Sequence, residues 1–187
     1  MNKEAAERAV RDLLIALDQD VESDGLRDTP RRVARMYIEQ CTEEDAELDR
    51  TFETDKLNDL IMVRDIPVQS YCPHHLLPWY GRAHIAYIPH KRVLGLSKLA
   101  RLAYSCTRGF PLQEAVTKSI ADRLYEELEP KGVMVVIEAV HTCMSLRGAK
   151  AIGASATTSA VRGMMRDVVA AREEVLSLIL RTAGGRQ

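Results

Sequence analysis

The segment VMVVIEAVHTC, residues 133–143, decides the fold class of this chain. Its apolar part, Val133–Ala139, has the length and composition of a β-strand. Two earlier segments, Ile61–Ser70 and Gly81–Ile88, also have strand character, and helical sequence separates the second of them from the strand at 133. Strands that lie far apart along a chain, with a helical pair between them, predict an α+β sheet.

Two helices are predicted between the strands, and a third follows them. Ser97 can cap the first helix, which runs from Lys98 to about Cys106, and the second runs from Gln113 to Glu127. A last helix is predicted from about Met165 to Leu180, because its apolar residues recur at helical spacing. The sheet region is therefore expected to end in a C-terminal helix.

The first sixty residues have helical rather than strand patterns. Apolar residues recur at helical spacing in 10–17, and Thr29 followed by Pro30 has the form of an N-cap and a first helical residue. We therefore expect a helical region at 1–60 and a sheet-containing region at 61–187, which together form one structural unit.

The composition is that of an ordinary globular protein, with 187 residues, 46% of them hydrophobic and 28% charged, and a formal net charge of -1. Near-neutral charge argues against a nucleic-acid partner. No apolar run approaches the roughly 20 residues that span a bilayer, and the N-terminus lacks the apolar core of a signal peptide. We therefore expect a cytoplasmic protein without a membrane partner, whose four cysteines favour thiolate or metal chemistry over disulfides.

Two short clusters concentrate the residues that bind metals. His141 and Cys143 close the predicted strand, and residues two apart on a strand point to the same face. Cys72 and His75 are three apart, so they converge only if the chain turns, and Pro73 makes a regular strand there improbable. The two clusters together predict a metal site.

Zinc is the metal that thiolate and imidazole donors suit best, and two donor sets remain open. In a catalytic set, Cys72, His75 and Cys143 bind the metal, which leaves His74 and His141 for proton transfer. In a closed structural set, His141 joins the three ligands as a fourth. Residue spacing alone does not decide between them.

Several motifs together resemble the GTP cyclohydrolase I family, in its order and with its approximate spacing. The resemblance implies a tunnelling fold in the catalytic domain at 61–187, with antiparallel strands and two helices on one face. It also implies a homodecamer of two stacked rings, with active sites between subunits. The motifs are Asp28-Thr29-Pro30-Arg31-Arg32-Val33-Ala34, Cys72-Pro73-His74-His75-Leu76, Gly95-Leu96-Ser97-Lys98-Leu99-Ala100-Arg101, Gln113-Glu114, and His141-Thr142-Cys143-Met144 followed by Arg147-Gly148.

The chemistry that this resemblance implies converts GTP and water to 7,8-dihydroneopterin triphosphate and formate. Water activated by Zn²⁺ attacks C8 of the guanine, C8 leaves as formate, and the ribose rearranges before the ring closes. The resemblance implies Cys72, His75 and Cys143 as zinc ligands. It implies His74 and His141 as proton carriers, with Ser97 as a further catalytic residue.

Substrate recognition is also implied by the resemblance. Glu114 would accept hydrogen bonds from guanine N1–H and the exocyclic amine, a donor pair that adenine lacks. Gln113 would line the same pocket, partly through its backbone. Cationic side chains from three motifs would bind the triphosphate. They are Lys98, Arg101, Arg147, Arg32 and Arg35.

Three pocket positions depart from the family pattern. Pro73 stands where the family usually has Glu, Pro111 where it commonly has Gln, and Ala115 where it commonly has Arg. Two alternatives to the full reaction therefore stay open. One is a paralogue that opens the purine ring of GTP or another nucleotide without forming a pterin. The other is a non-catalytic, zinc-stabilised nucleotide-binding assembly protein.

Overall fold

The structure is a computed structural model that describes residues 1–42, 46–54 and 57–183, with side chains described as far as residue 180. The chain divides into two compact units, Met1–Glu43 and Glu44–Gln187. In chain order the described elements are α1 (Lys3–Ala16), α2 (Thr29–Cys41), β1 (Thr51–Glu53), β2 (Ile61–Tyr71), β3 (Pro78–Ile88), β4 (Arg92–Leu94), α3 (Leu96–Cys106), α4 (Gln113–Leu128), β5 (Gly132–His141), α5 (Thr142–Ser145), β6 (Ala156–Gly163) and α6 (Val169–Ala183).

The first unit is a pair of helices that pack on each other, α1 and α2. The side chain of Asn2 caps α1 by accepting a hydrogen bond from the backbone N–H of Ala5, at 2.9 Å. At the start of α2, Asp28 occupies the N-cap position and Thr29 is already helical, one residue earlier than the sequence predicted. The helical prediction for this part of the chain is otherwise confirmed.

The helical region is shorter than the predicted 1–60. After α2 ends at Cys41, the chain forms the short strand β1, which pairs antiparallel with β4 so that Thr51 lies opposite Leu94. Backbone pairing over three residues has no hydrophobic periodicity long enough to be recognised in a sequence. The prediction of helix up to residue 60 was wrong for this reason.

The main sheet of the second unit has four antiparallel strands in the order β2-β3-β5-β6. The three predicted strands are all present, and β6 is an additional edge strand that pairs with β5. The predicted α+β class, with N-terminal helices, an antiparallel sheet and a C-terminal helix, is confirmed. No helix in the described parts of the chain is long and apolar enough to cross a membrane.

Helices cover this sheet on both faces, because alternate residues of β3 and β5 point to opposite sides. On one face, Ile85 and Val135 belong to the large core cluster that also contains buried residues of α3 and α4. On the other face, Met134 and Val136 cluster with Val175 of α6. This double burial explains why residues 133–137 form a continuous apolar run.

Candidate metal centre and substrate pocket

A tight turn after β2 brings the first metal-binding cluster together. The backbone N–H of Cys72 donates to the carbonyl of Leu77 at 2.8 Å, and the N–H of Leu76 donates back to the carbonyl of Cys72 at 2.8 Å. Leu76 has a φ of 52°, the left-handed conformation that closes such turns. The turn expected around Pro73 is therefore present, and it leaves Cys72 and His75 on the same side.

Cys72, His75 and Cys143 form a cluster in which the three ligand atoms all lie within 4.8 Å of one another. The route by which Cys143 reaches this cluster differs from the prediction. Strand β5 ends at His141, and Cys143 lies in α5, a single turn in which the N–H of Leu146 donates to Thr142. His141 and Cys143 therefore do not lie on one strand, and alternation of side chains along a strand does not explain their positions. His141 is not a member of the three-residue cluster.

The chemistry of this donor set fits a metal cation. Cys72 is buried and Cys143 is half-buried. Burial, together with the neighbouring Cys72 thiol, raises the pKa of the Cys143 thiol. Two thiolates at this separation repel each other, so a bound cation is what allows both to be deprotonated. Two thiolates and one imidazole are a common protein ligand set for zinc.

The cluster opens into a cavity of about 350 Å³. Its walls bring together most of the catalytic and guanine-binding residues predicted from sequence. They also include two of the three residues expected to depart from the family pattern. The lining residues are Cys72, Pro73, His74, His75, Trp79, Pro111, Leu112, Gln113, Glu114, His141, Cys143, Met144 and Ala156. A larger cavity of about 570 Å³, near β4, contains none of the predicted site residues.

The two predicted proton carriers have different surroundings. His141 Nε2 lies 2.7 Å from Gln113 Oε1, and its ring stacks on Trp79 with 5.7 Å between the centroids and 19° between the planes. Burial lowers the pKa of His141, and the charge of Glu114 partly offsets that effect. His74 is exposed, and its Nδ1 lies 3.6 Å from Cys72 Sγ. His141 is therefore the more rigidly held of the two rings.

Most of the predicted phosphate-binding side chains do not line this cavity. Arg147 is beside the metal cluster, with one guanidinium nitrogen 2.6 Å from His75 Nε2. On α3, Ser97 and Arg101 are exposed, whereas Lys98 is buried and donates to the carbonyl of Glu47 at 2.8 Å. These three α3 residues do not line the cavity.

One detail of α3 differs from the sequence prediction. Gly95 occupies the N-cap position of α3, so Ser97 lies inside the first turn and does not cap the helix. In the helical unit, Arg32 and Arg35, which are predicted to bind phosphate, form exposed ion pairs. Arg32 pairs with Asp28, the N-cap residue of α2, and Arg35 pairs with Glu39.

No functional role was assigned to Trp79 from the sequence, but this residue forms part of the site. It is fully buried, lies opposite His141 in the β3–β5 register, and lines the cavity. The pairing register of these two strands was the signal that could have identified it. Because Trp79 is the only tryptophan in the chain, its fluorescence also reports directly on this cavity.

The cavity combines a group that could hold a metal ion with titratable side chains, an arrangement typical of an enzyme active site. A family model described as GTP cyclohydrolase I matches residues 6–180. The chain therefore belongs to the GTP cyclohydrolase I family.

Individual relatives match over almost the whole chain. GTP cyclohydrolase 1 of Carboxydothermus hydrogenoformans is 48% identical over 183 residues, which cover 96% of this chain and 95% of that protein. GTP cyclohydrolase 1 of Bacillus subtilis is 48% identical over 185 residues, with 97% of each chain covered. Among solved structures, the archaeosine synthase QueF-Like in the apo form has a TM-score of 0.46 and 20% identity, and the match covers 56% of this chain and 93% of that one.

Proposed function

We propose that this protein is a zinc-dependent GTP cyclohydrolase I that converts GTP and water to 7,8-dihydroneopterin triphosphate and formate. The observation that carries the proposal is the position of the Cys72, His75 and Cys143 cluster in one cavity with His141 and Glu114. Membership in the GTP cyclohydrolase I family gives the substrate and the reaction.

Cys72, His75 and Cys143 are the residues that would hold the zinc ion. Zinc held there would supply Lewis-acid chemistry that lowers the pKa of a water molecule and makes it a nucleophile. His141 supports an open rather than a closed site, because its Nε2 is engaged by Gln113 and it lies outside the three-residue cluster. His141 and His74 are then free to carry protons to and from the purine nitrogens and the ribose ring oxygen.

Glu114 is proposed to recognise the guanine. It is the second residue of α4, exposed and on the cavity wall. A carboxylate there can accept from both N1–H and the exocyclic amine, whereas adenine presents an acceptor at N1. A site that depends on this donor pair discriminates strongly against a base that lacks it.

The triphosphate site is proposed to be shared between subunits of a homodecamer. Arg147 lies beside the metal cluster, but Ser97, Lys98 and Arg101 do not line the cavity of their own chain. If the neighbouring subunit supplies these α3 residues, one cavity obtains both the metal half and the anion-binding half of the site. Arg32 and Arg35 of α2 are proposed as further phosphate ligands.

Mixed assemblies test whether the site is shared. A Cys143→Ser subunit lacks the metal half, and an Arg101→Ala subunit lacks part of the anion site. The two variants are co-expressed with different affinity tags, and assemblies that carry both tags are purified. In a random mixture, about a quarter of the shared sites combine an intact Cys143 with an intact Arg101, so roughly a quarter of the wild-type activity should return. If each site were built from a single chain, the mixture would have no more activity than the average of the two parent variants.

A second candidate function is favoured by the two prolines in the cavity wall. Pro73 and Pro111 line the cavity. The resemblance implies polar side chains at these two positions, so the cavity would lack two hydrogen-bonding groups beside the substrate. An enzyme that opens the purine ring but stops at a formamidopyrimidine fits this change. Its signature would be loss of GTP without a pterin product.

The dependence of the reaction on zinc tests the proposal. Protein stripped with a chelator and then reloaded with Zn²⁺ should consume GTP, while the stripped protein should not. ATP should remain unchanged in both samples. Loss of GTP at the same rate in stripped and reloaded protein would refute the proposed role of the metal.

A further inference from the structure

We propose that Gln113 is a positioning residue for His141 and not a donor to the guanine. Its side chain fixes the ring so that Nε2 keeps a proton and Nδ1 is the nitrogen that exchanges one with substrate. This inference rests on the proposed function for its catalytic meaning, but the geometry that supports it is independent of the substrate.

The orientation of the Gln113 amide is determined by its neighbours. The side chain is 2% exposed, and its Nε2 lies 3.1 Å from each of three acceptors, the carbonyls of Ile137 and Ala156 and the hydroxyl of Thr158. Backbone carbonyls can only accept, so the atom that faces them must be the NH₂ group. The other amide atom, Oε1, therefore faces His141.

The tautomer of His141 follows from this orientation. Oε1 can only accept, so the ring nitrogen 2.7 Å from it, Nε2, must donate and must carry a proton. In the neutral ring the lone pair is then on Nδ1. Among the described residues, Nδ1 of His141 has no hydrogen-bond partner, and stacking on Trp79 restricts rotation of the ring plane.

A chain of hydroxyl groups holds Gln113 in turn. Thr117 Oγ1 donates to the carbonyl of Gln113 at 2.8 Å, and the Thr117 and Thr158 hydroxyl oxygens are 2.6 Å apart. Because the Thr117 proton is already used, Thr158 donates to Thr117 and accepts from Gln113. Each hydrogen bond in the series that links His141, Gln113, Thr158 and Thr117 then has one allowed direction. A buried polar network in which every group is satisfied is rigid.

This network assigns the side chain a role other than reading the base. Both Nε2 protons of Gln113 are taken by protein acceptors, so the amide has none to donate to guanine. Contact with substrate is left to its backbone. In the reaction, Nδ1 of His141 is the atom that can accept a proton from, and return it to, a purine nitrogen or the ribose oxygen. Nε2 keeps its proton throughout, because Gln113 Oε1 accepts it.

The split between kcat and KM distinguishes positioning from base recognition. Gln113→Met preserves the side-chain volume but removes the acceptor, and it should lower kcat between about 10- and 100-fold. KM for GTP should change less than about threefold, and the preference for GTP over ATP should be unchanged. A large rise in KM with loss of that preference would overturn the proposal, because it would show that the side chain binds the base.

A pair of threonine variants tests the outer part of the network. Thr158→Val removes a hydroxyl that holds Gln113, so kcat should fall again with little change in KM. Thr157→Val is the matched control, because Thr157 is the neighbouring β6 residue and is exposed. Equal effects of the two substitutions on kcat would contradict the network. Zinc content and the unfolding midpoint of each variant identify any that fail to fold.

Nitrogen NMR tests the geometry without relying on turnover. In zinc-loaded protein labelled with ¹⁵N-histidine, the His141 signal is identified by its loss in His141→Asn. Neutral His141 should be protonated on Nε2 alone, and Gln113→Met should produce a mixture of tautomers. A proton on Nδ1 in the wild type would overturn the inference even if the enzyme is active. If the wild type does not act on GTP, the proposed function fails and this measurement still decides the role of Gln113.

Discussion

Replacing Cys143 with serine is expected to lower formate release from GTP by at least about 10³-fold and to leave the protein with little bound zinc. Cys143 supplies one of the three donor atoms that lie within 4.8 Å of one another. A serine hydroxyl does not ionise near neutral pH, so the variant offers two donors to the metal where the wild type has three. Zinc per subunit, measured by elemental analysis, and formate release should fall together.

Cys106→Ser is the matched control for this substitution. Cys106 is a half-buried thiol on α3, 3.6 Å from the hydroxyl of Ser119, and it does not line the cavity. The control should keep its zinc and its formate release. If Cys143→Ser kept normal zinc content and activity, the three-residue cluster could not be the catalytic metal centre.

Replacing Glu114 with glutamine is expected to lower kcat/KM for GTP between about 10²- and 10⁴-fold, with the zinc content unchanged. The substitution puts an NH₂ group where the guanine presents its own donors, so one favourable hydrogen bond is lost and two donors face each other. Activity with ATP should remain as low as in the wild type. Steady-state kinetics with both nucleotides measure this loss.

Glu126→Gln on the same helix is the control, because Glu126 is exposed and does not line the cavity. The competing interpretation is that Glu114 only stabilises the first turn of α4 through the helix dipole, an effect of about 0.3–1 kcal/mol on folding. In that case Glu114→Gln would shift the unfolding midpoint slightly and leave kcat/KM for GTP unchanged. The kinetic effect therefore separates recognition from helix stability.

The sheet and the metal cluster could be predicted from the sequence because short patterns encode them. The apolar run Val133–Ala139 has strand character, and Cys72 and His75 need only a local turn to converge. The edge strand β6 could not be recognised in this way. Its eight residues are partly buried or exposed, and they form a strand because they pair with β5.

Residues whose roles depend on tertiary contacts were harder to predict. Gln113 stood out as part of a motif, but its hydrogen bonds to Ile137 and Ala156 exist only because β5 and β6 pair beneath α4. Lys98 likewise has a partner, Asp49, that is 49 positions away in sequence. A sequence indicates the type of side chain at such positions, whereas the partner of that side chain follows from the assembled sheet.

The measurement that tests the central claim most directly is the yield of both products from GTP. Zinc-loaded protein is incubated with GTP, formate is quantified, and the mixture is oxidised so that the pterin can be measured by its fluorescence as neopterin. We predict equal molar amounts of formate and neopterin, despite Pro73 and Pro111. Formate without neopterin would contradict the complete reaction and favour an enzyme that stops after deformylation. Neither product, from protein that holds zinc and assembles, would contradict the assignment of a GTP cyclohydrolase activity.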